Sequence, residues 1–160
     1  GDSLSDDASV ATLIKKLIPL ATIVTPNGYE AARLLDRADP ITDLHGAATA
    51  AREICQRLEA KACVVTGIKR ENDEEGEAVD LFFDGQELHE IVSDWRPTPN
   101  KHGAGCTFSA AITAGLALGQ PIGEAISIAK SVIIESIRQA TDLGKGISPV
   151  NHLAYLNVKK

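Results

Sequence analysis

Two short runs of apolar, largely β-branched residues constrain the fold of this chain more than any other feature. They occupy residues 21–25 and 62–66, and we expect Gly67 to stop the second run. Runs of this kind, without polar alternation, are typical of strands that are buried on both faces of a parallel sheet. Apolar residues at helical spacing precede each run, over residues 5–18 and 43–58. This alternation of helix and strand predicts a layered α/β fold.

The second half of the chain adds a hairpin, two helices and an irregular tail. Residues 68–77 are rich in charge and predict a solvated loop. The runs 78–83 and 87–92 then flank Asp84-Gly85, a dipeptide typical of a tight turn between antiparallel strands. We expect this hairpin to lie at the edge of the parallel sheet. Helical patterns follow to about residue 140, and the tail after them is irregular.

Composition limits the class of protein. The chain has 160 residues, enough for the core of one domain, and a formal net charge of −6 with both signs interspersed. A nucleic-acid surface needs clustered lysine and arginine, so we expect no nucleic-acid partner. Three cysteines without a Cys-x-x-Cys pair indicate free thiols. No apolar run approaches the length of a membrane span and no signal-peptide pattern is present, so we expect no membrane partner and a cytoplasmic location.

The stretch Lys-His-Gly-Ala-Gly-Cys-Thr at 101–107 places glycines directly before a helical pattern. Such glycines let backbone N–H groups converge on an anion, and the helix dipole adds partial positive charge. We expect Cys106 to be the first residue of this helix, where the thiolate form of cysteine is favoured. An anion site beside a base indicates phosphoryl transfer; the simpler alternatives are a turn that merely begins a helix and a buried structural cysteine. His102 is a candidate contact to substrate or phosphate, or simply a cap of the turn.

A second candidate site follows the first predicted strand. Asn27 and Glu30 come just after its end, where ordinary capping of a short helix is the alternative explanation. Ligands of parallel α/β sheets bind at the C-terminal ends of the strands, so these two residues would share an edge with Thr66 and Gly67. A carboxylate and an amide at that edge suit the water shell of Mg²⁺. Lys130 on the last helix is a candidate nucleotide contact, or a solvated lysine.

Four segments, in this order along the chain, closely resemble the ribokinase superfamily. They are Thr-Pro-Asn-Gly-Tyr-Glu-Ala at 25–31, Val-Val-Thr-Gly at 64–67, the block at 102–111 and the tail at 144–152. The block at 102–111 is the most specific of the four, because most of the superfamily carries aspartate where this chain has Cys106. The chain is most similar to the branch of hydroxymethylpyrimidine and phosphomethylpyrimidine kinases and the related bacterial pyridoxine/pyridoxal kinases.

The resemblance implies a three-layer α/β/α sheet, mostly parallel, with an antiparallel hairpin at its edge and Mg·ATP at the C-terminal ends of its strands. It implies a kinase acting on the hydroxymethyl group of a pyrimidine in thiamine synthesis, or of pyridoxine or pyridoxal in vitamin B6 salvage. The residues leave the choice between these rings open. Members of this branch are longer at the N-terminus, and this chain has no methionine at position 1. We therefore expect residues 1–160 to be the C-terminal, nucleotide-binding portion of a single ribokinase-like domain, inactive alone, from a homodimeric protein.

The resemblance also assigns roles to residues. Cys106 matches the general base that deprotonates the hydroxymethyl group, and an anion hole for the transferred phosphate matches the N–H groups of Gly103, Ala104, Gly105 and Cys106. Asn27 and Glu30 match a Mg²⁺ and phosphate network. The nucleotide would lie along Thr66, Gly67, Asp80 and Lys130. Many relatives carry lysine in place of Thr66, so that phosphate contact is lost here or is taken over by Lys69 or Lys101. The competing class is a non-catalytic nucleotide- or phosphate-binding fragment that lacks the substrate half.

Overall fold

Residues 5–70, 76–95 and 102–155 are described by a computed structural model. The chain divides into two units, Gly1–Trp95 and Arg96–Lys160. In its described residues, the first unit contains a β-sheet with helices packed on it, and the second contains two long helices followed by an irregular tail.

The described strands of the first unit form an antiparallel sheet in the order β1-β2-β3. The strands are β1 (Cys63–Arg70), β2 (Glu77–Phe83) and β3 (Leu88–Asp94). β2 and β3 pair in continuous register from Glu77↔Asp94 to Phe83↔Leu88. The turn between them is the expected one, with Gly85 at φ 101°. The antiparallel hairpin predicted around Asp84-Gly85 is therefore confirmed.

The prediction that Gly67 stops the strand at 62–66 is wrong. β1 continues to Arg70, and its register against β2 shifts by one residue between Val65 and Ile68. This shift is a β-bulge, and Gly67 sits in it with a left-handed φ of 74° that glycine adopts without steric cost. Because the bulge absorbs the extra residue, Ile68 is buried again on the core side. Residues 68–70 of the predicted charged loop therefore belong to β1, and residues 71–75 of that prediction lie outside the described residues.

The first predicted strand, residues 21–25, lies beside β1 in parallel orientation. Val24 bridges Cys63 and Asn27 bridges Thr66, both in parallel. The Thr66 N–H donates to the Pro26 carbonyl oxygen at 2.9 Å. In the described residues this pairing consists of isolated bridges rather than a continuous ladder, so the segment is shorter as a strand than its sequence predicts. The end of this segment therefore lies beside Thr66, one of the predicted site residues.

Three helical segments precede or cover the sheet. The first, α1 (Asp7–Thr12), begins at the N-cap Asp6 and continues as a π turn, Leu13–Leu17, and a 3₁₀ turn, Ile18–Leu20. The second is α2 (Gly28–Leu34), and the third is α3 (Leu44–Leu58). α3 packs against β1 and β2 through Ala47, Ala50, Ala51 and Ile54, all fully buried, because alanine lets the helix approach the sheet closely.

The second unit is built on α4 (Ala104–Ala117) and α5 (Ile122–Arg138), which pack against each other. Gly115 on α4 lies so close to Ala125 on α5 that a Cβ at Gly115 would come within 2.9 Å of the alanine Cβ. The tail then returns to the start of α4, where His102 bridges Pro149. No helix in the described ranges is long and apolar enough to cross a membrane.

We predict that alanine at Gly28 strongly destabilises the chain, while alanine at Gly123 does not. A Cβ at Gly28, in the first turn of α2, would lie 1.9 Å from the Ile41 carbonyl oxygen, which belongs to the backbone and cannot rotate away. Gly28→Ala should lower the free energy of unfolding by about 3 kcal/mol. The measurement is urea denaturation followed by circular dichroism.

Gly123→Ala is the matched control, since Gly123 occupies the first turn of α5 and a Cβ there would meet no described atom within 4 Å. That substitution should raise the free energy of unfolding by about 0.4–1 kcal/mol through lower entropy of the unfolded chain. Equal effects of the two substitutions would contradict the close approach of Gly28 to Ile41.

Candidate functional site

The N-terminus of α4 presents backbone N–H groups that its own helix does not use. Its N-cap is Gly103, in the left-handed conformation with φ 82°, and no side-chain cap is found among the described residues. The first N–H groups of a helix have no intrahelical acceptor, and here they belong to Ala104, Gly105 and Cys106. A Cβ at Gly103 or Gly105 would meet no described atom within 4 Å. This terminus is open and suits an anion.

Cys106 is the third residue of α4, and the prediction that it is the first is wrong. The helix begins at Ala104, because the Gly103 carbonyl already accepts from the Thr107 N–H at 2.9 Å and from the Thr107 hydroxyl at 2.8 Å. Cys106 is nevertheless exposed, so the alternative of a buried structural cysteine does not apply to it. Its thiol therefore lies at the surface in the same turn as the open N–H groups.

The other two cysteines have the opposite character. Cys63 is buried in the core and Cys55 on α3 is partly buried. Burial disfavours the charged thiolate, and it raises the pKa of Cys55 to about 11 and that of Cys63 higher still. Both thiols stay protonated at neutral pH and are chemically inert there.

His102 is held by its backbone directly before the glycine turn. Its N–H donates to the Ser148 carbonyl oxygen at 3.3 Å, and its own carbonyl accepts from the Val150 N–H at 3.1 Å. Its side chain is exposed. Sequence reasoning missed this role of the tail residues, because an irregular tail carries no periodicity that predicts its partners.

Asn27 and Glu30 form a complete capping box at the start of α2. The Asn27 side-chain oxygen accepts from the N–H groups of Tyr29, at 2.9 Å, and Glu30, at 3.0 Å. In return Glu30 Oε2 accepts from the Asn27 N–H at 2.9 Å. The capping explanation of this pair is therefore confirmed. Both residues are exposed, and their part in a metal network stays a prediction.

Thr66, Gly67 and Asp80 meet at the bulge of β1. The Gly67 N–H donates to Asp80 Oδ1 at 2.8 Å, and Asp80 is only 4% exposed. The bulge would otherwise leave this N–H without a ladder partner, so the carboxylate stabilises the bulge. Since Asn27 bridges Thr66, the first unit brings four of the predicted site residues to one edge of its sheet: Asn27, Thr66, Gly67 and Asp80.

The lysines named from the sequence have different surroundings. Lys130 lies half-buried on α5, in the same unit as Cys106. Lys69 is on β1, and its ammonium nitrogen lies 5.9 Å from the centre of the Trp95 ring, the distance of a cation–π contact. Lys101 lies outside the described residues.

The described part of the chain offers no cluster of direct metal ligands. Within residues 5–70, 76–95 and 102–155, no group of three or more His, Cys, Asp or Glu side chains is placed to hold a metal ion. Mg²⁺ commonly keeps several waters and takes one or two carboxylates together with phosphate oxygens. A metal bound here would therefore depend on water and on a phosphate ligand.

Together these features define an α/β protein with an open helix terminus for an anion and an exposed thiol in the same turn. The family model described as phosphomethylpyrimidine kinase matches residues 1–151. The hydroxymethylpyrimidine/phosphomethylpyrimidine kinase of Rhizobium meliloti (strain 1021) is 43% identical over 154 residues, which cover 95% of this chain and 56% of the relative. The chain belongs to the phosphomethylpyrimidine kinase family.

Solved structures show the same relationship. An ADP complex of Bacillus subtilis pyridoxal kinase is similar with a TM-score of 0.87 at 36% identity, covering 96% of this chain and 58% of that one. Staphylococcus aureus pyridoxal kinase in complex with AMP-PCP and pyridoxal has a TM-score of 0.86 at 31% identity, covering 98% and 57%. The α/β fold of this chain is thus similar to that of pyridoxal kinases. The chain spans little more than half the length of these three proteins.

We predict that Cys106 alone reacts quickly with a thiol reagent in the folded protein. At pH 8 only about a thousandth of Cys55 is thiolate, given its pKa of about 11, and Cys63 is buried and less ionised still. Titration with the aromatic disulfide DTNB should show one fast thiol in the native protein and three after denaturation.

The assignment is checked with Cys106→Ala, which should remove the fast phase, and with Cys55→Ala, which should keep it. A fast phase that survives in Cys106→Ala would contradict the exposure of this side chain.

Proposed function

We propose that the whole protein is an ATP-dependent kinase that phosphorylates the hydroxymethyl group of a pyrimidine or pyridine ring. The observation that carries this proposal is the open N-terminus of α4 with the exposed Cys106 in its first turn. Membership of the phosphomethylpyrimidine kinase family supports it, as do the relatives named as kinases of either ring. The proposed classes of substrate are hydroxymethylpyrimidine or its phosphate, and pyridoxine or pyridoxal.

In this proposal, residues 1–160 are the C-terminal, nucleotide-binding portion of a single three-layer α/β/α domain. The parallel bridges from Val24 and Asn27 to β1 support one parallel neighbour of this strand. That the whole sheet is mostly parallel, with the β2–β3 hairpin at its edge, is part of the proposal. The length of the relatives supports a further portion of the protein. We place that portion at the N-terminus and propose that it contributes the ring-binding half of the site. A homodimer and a cytoplasmic location for the whole protein are part of the same proposal.

The α4 terminus would carry out the transfer step. Cys106 accepts the proton of the substrate hydroxymethyl group, and the freed oxygen forms a bond to the γ-phosphorus of ATP. The bond between that phosphorus and the oxygen bridging to the β-phosphate breaks, and ADP leaves. The N–H groups of Gly103, Ala104, Gly105 and Cys106 donate to the oxygens of the transferred group, whose charge they stabilise. An exposed helix start with no side-chain cap among the described residues fits this task.

Asn27 and Glu30 are proposed to hold Mg²⁺ through its water shell. The capping box engages one carboxylate oxygen of Glu30, and the side chain is exposed at the same sheet edge as Thr66. This arrangement fits a cation that keeps its waters and is bound mainly by phosphate. When bound, Mg²⁺ neutralises charge on the phosphates of ATP.

The nucleotide is proposed to lie along Thr66, Gly67, Asp80 and Lys130. The complexes of similar pyridoxal kinases with ADP and with AMP-PCP support nucleotide binding by a protein of this fold. Asp80 would act mainly by holding the bulge at Gly67, since its carboxylate already accepts from that N–H. The phosphate contact that the family resemblance assigns to a lysine in place of Thr66 is proposed to be lost here or to be made by Lys69 or Lys101. His102 is proposed to contact substrate or phosphate.

In the full-length protein, we predict that Cys106→Ala lowers kcat by about 100-fold or more while ATP binding survives. Loss of a general base removes proton transfer from the transition state, whereas the backbone N–H groups remain. The measurements are phosphorylation of hydroxymethylpyrimidine and of pyridoxal, and calorimetric titration with Mg·ATP.

Cys55→Ala is the matched control and should keep near-normal turnover, because Cys55 lies on α3 and packs against the core. Near-normal turnover in Cys106→Ala would remove Cys106 as the base. The alternative function, a non-catalytic nucleotide-binding protein, requires that the unmodified full-length protein bind Mg·ATP but phosphorylate neither ring.

We also predict that Glu30→Gln raises the Mg²⁺ concentration needed for half-maximal activity about tenfold, with little loss of stability. Glutamine at this position still accepts from the Asn27 N–H, so the substitution removes the negative charge and keeps the capping box. The measurements are kcat as a function of Mg²⁺ concentration and thermal unfolding.

Glu124→Gln is the control, since Glu124 lies at the equivalent position in the first turn of α5 and is exposed. It should leave the Mg²⁺ dependence unchanged. Equal Mg²⁺ dependence in Glu30→Gln and the unmodified protein would refute the proposed role of Glu30.

A further inference from the structure

The start of α4 is tied to the tail of the chain by a pair of backbone hydrogen bonds. The His102 N–H donates to the Ser148 carbonyl oxygen at 3.3 Å, and the His102 carbonyl accepts from the Val150 N–H at 3.1 Å. Ser148 and Val150 flank Pro149, which forms a parallel β-bridge with His102. Residues 143–151, here called the clasp, thus hold both backbone polar groups of the residue that precedes Gly103.

The clasp is itself anchored by two polar side chains. Ser148 is 1% exposed, and its hydroxyl oxygen accepts from the Leu143 N–H at 2.7 Å, which closes the clasp on itself. Asn151 joins the clasp to the end of α5, because its backbone N–H donates to the Ser136 carbonyl at 2.9 Å and its side-chain amide donates to the Gln139 carbonyl at 3.3 Å. These carbonyls lie in or just after the last turn of α5, where a helix leaves acceptors unused.

The glycine turn needs such an anchor. Gly103 has a left-handed φ of 82°, and a Cβ at this position would meet no described atom within 4 Å. On the helix side, the Gly103 carbonyl is held by the Thr107 N–H and hydroxyl. Glycine populates positive and negative φ about equally, so Gly103 by itself leaves the orientation of this helix start relative to the preceding chain weakly specified. The hydrogen bonds of His102 to the clasp supply the missing constraint.

We propose that the clasp sets the geometry of the phosphate-binding N–H groups of α4, with Ser148 and Asn151 as positioning residues. This inference rests on the proposed function of the α4 terminus as the anion hole. A displacement of about 1 Å at a site of phosphoryl transfer can lower the rate about 100-fold. Residues that touch neither substrate nor phosphate thus contribute to turnover through His102.

The test compares two buried serines in the full-length protein. Ser148→Ala removes the acceptor of the Leu143 N–H, whereas Ser136→Ala removes a hydroxyl that has no hydrogen-bond partner among the described residues. Both serines are at most 1% exposed, so the two substitutions delete the same atom from equally buried sites. We expect Ser148→Ala to lower kcat about tenfold or more with the KM for the ring alcohol unchanged, and Ser136→Ala to stay within about twofold.

A second readout does not depend on catalysis. In protein labelled with ¹⁵N, the amide resonances of Gly103, Ala104 and Gly105 should shift in Ser148→Ala and stay in place in Ser136→Ala. Where Ser148→Ala does not fold, Asn151→Ala, at a half-buried side chain, receives the same measurements.

The outcomes separate this inference from the proposed function. Unchanged amide resonances and unchanged kcat in the clasp variants, together with an inactive Cys106→Ala, would overturn the clasp and keep the kinase. Shifted resonances in a full-length protein that phosphorylates neither ring would keep the structural coupling and overturn the proposed function.

Discussion

Hydrogen bonding along both edges of β1 is the constraint on which the first unit depends. Cys63 and Thr66 bridge the segment of Val24 and Asn27 on one side, and β1 runs antiparallel to β2 on the other. A strand with neighbours on both sides and with α3 packed on it tolerates few polar residues, and residues 63–65 are fully buried. The bulge at Gly67 interrupts this ladder. The Asp80 carboxylate accepts a hydrogen bond from the Gly67 N–H, which the interruption leaves without a ladder partner. The pairing of β1 with its two neighbours thus brings together the candidate nucleotide residues Thr66, Gly67 and Asp80.

In each unit, candidate functional residues lie at the N-terminus of a helix. The free backbone N–H groups of these two helix starts are capped in different ways. At α2 the side chains of Asn27 and Glu30 complete a capping box, so this terminus is stable without a ligand. At α4 the cap is Gly103, which has no side chain to donate or accept. Its first N–H groups therefore have no side-chain cap among the described residues, which suits an anion, and the chain before them is held from outside the helix. The hydrogen bonds between His102 and residues 148–150 provide that hold.

Family membership and the local geometry give two separate lines of support for the proposal of phosphoryl transfer. The relatives include kinases of a pyrimidine and of pyridoxal, two rings that share a hydroxymethyl group as the phosphate acceptor in our proposal. In our proposal, the described residues of this chain bind phosphate and a hydrated metal. The ring-binding half of the site then lies in the part of the protein beyond this chain, which spans little more than half the length of these relatives.

Much of the local structure was predictable from the sequence, because helices and turns are encoded over a few neighbouring residues. The period of apolar residues predicted α3, the Asp84-Gly85 dipeptide predicted the hairpin, and the spacing of Asn27 and Glu30 offered the capping box as one of two explanations. The glycines before Cys106 indicated an open helix start. Each of these features depends on contacts within about one helical turn or one hairpin.

The sequence by itself determined the order of helices and strands, the capped start of α2 and the glycine-rich start of α4. Only the tertiary structure decided that β1 passes through Gly67, since a bulge depends on the register against β2 and on the Asp80 carboxylate thirteen residues away. It likewise decided that His102 pairs with residues 148–150. These contacts join residues distant in the chain, and an irregular segment has no local pattern from which its partner can be deduced.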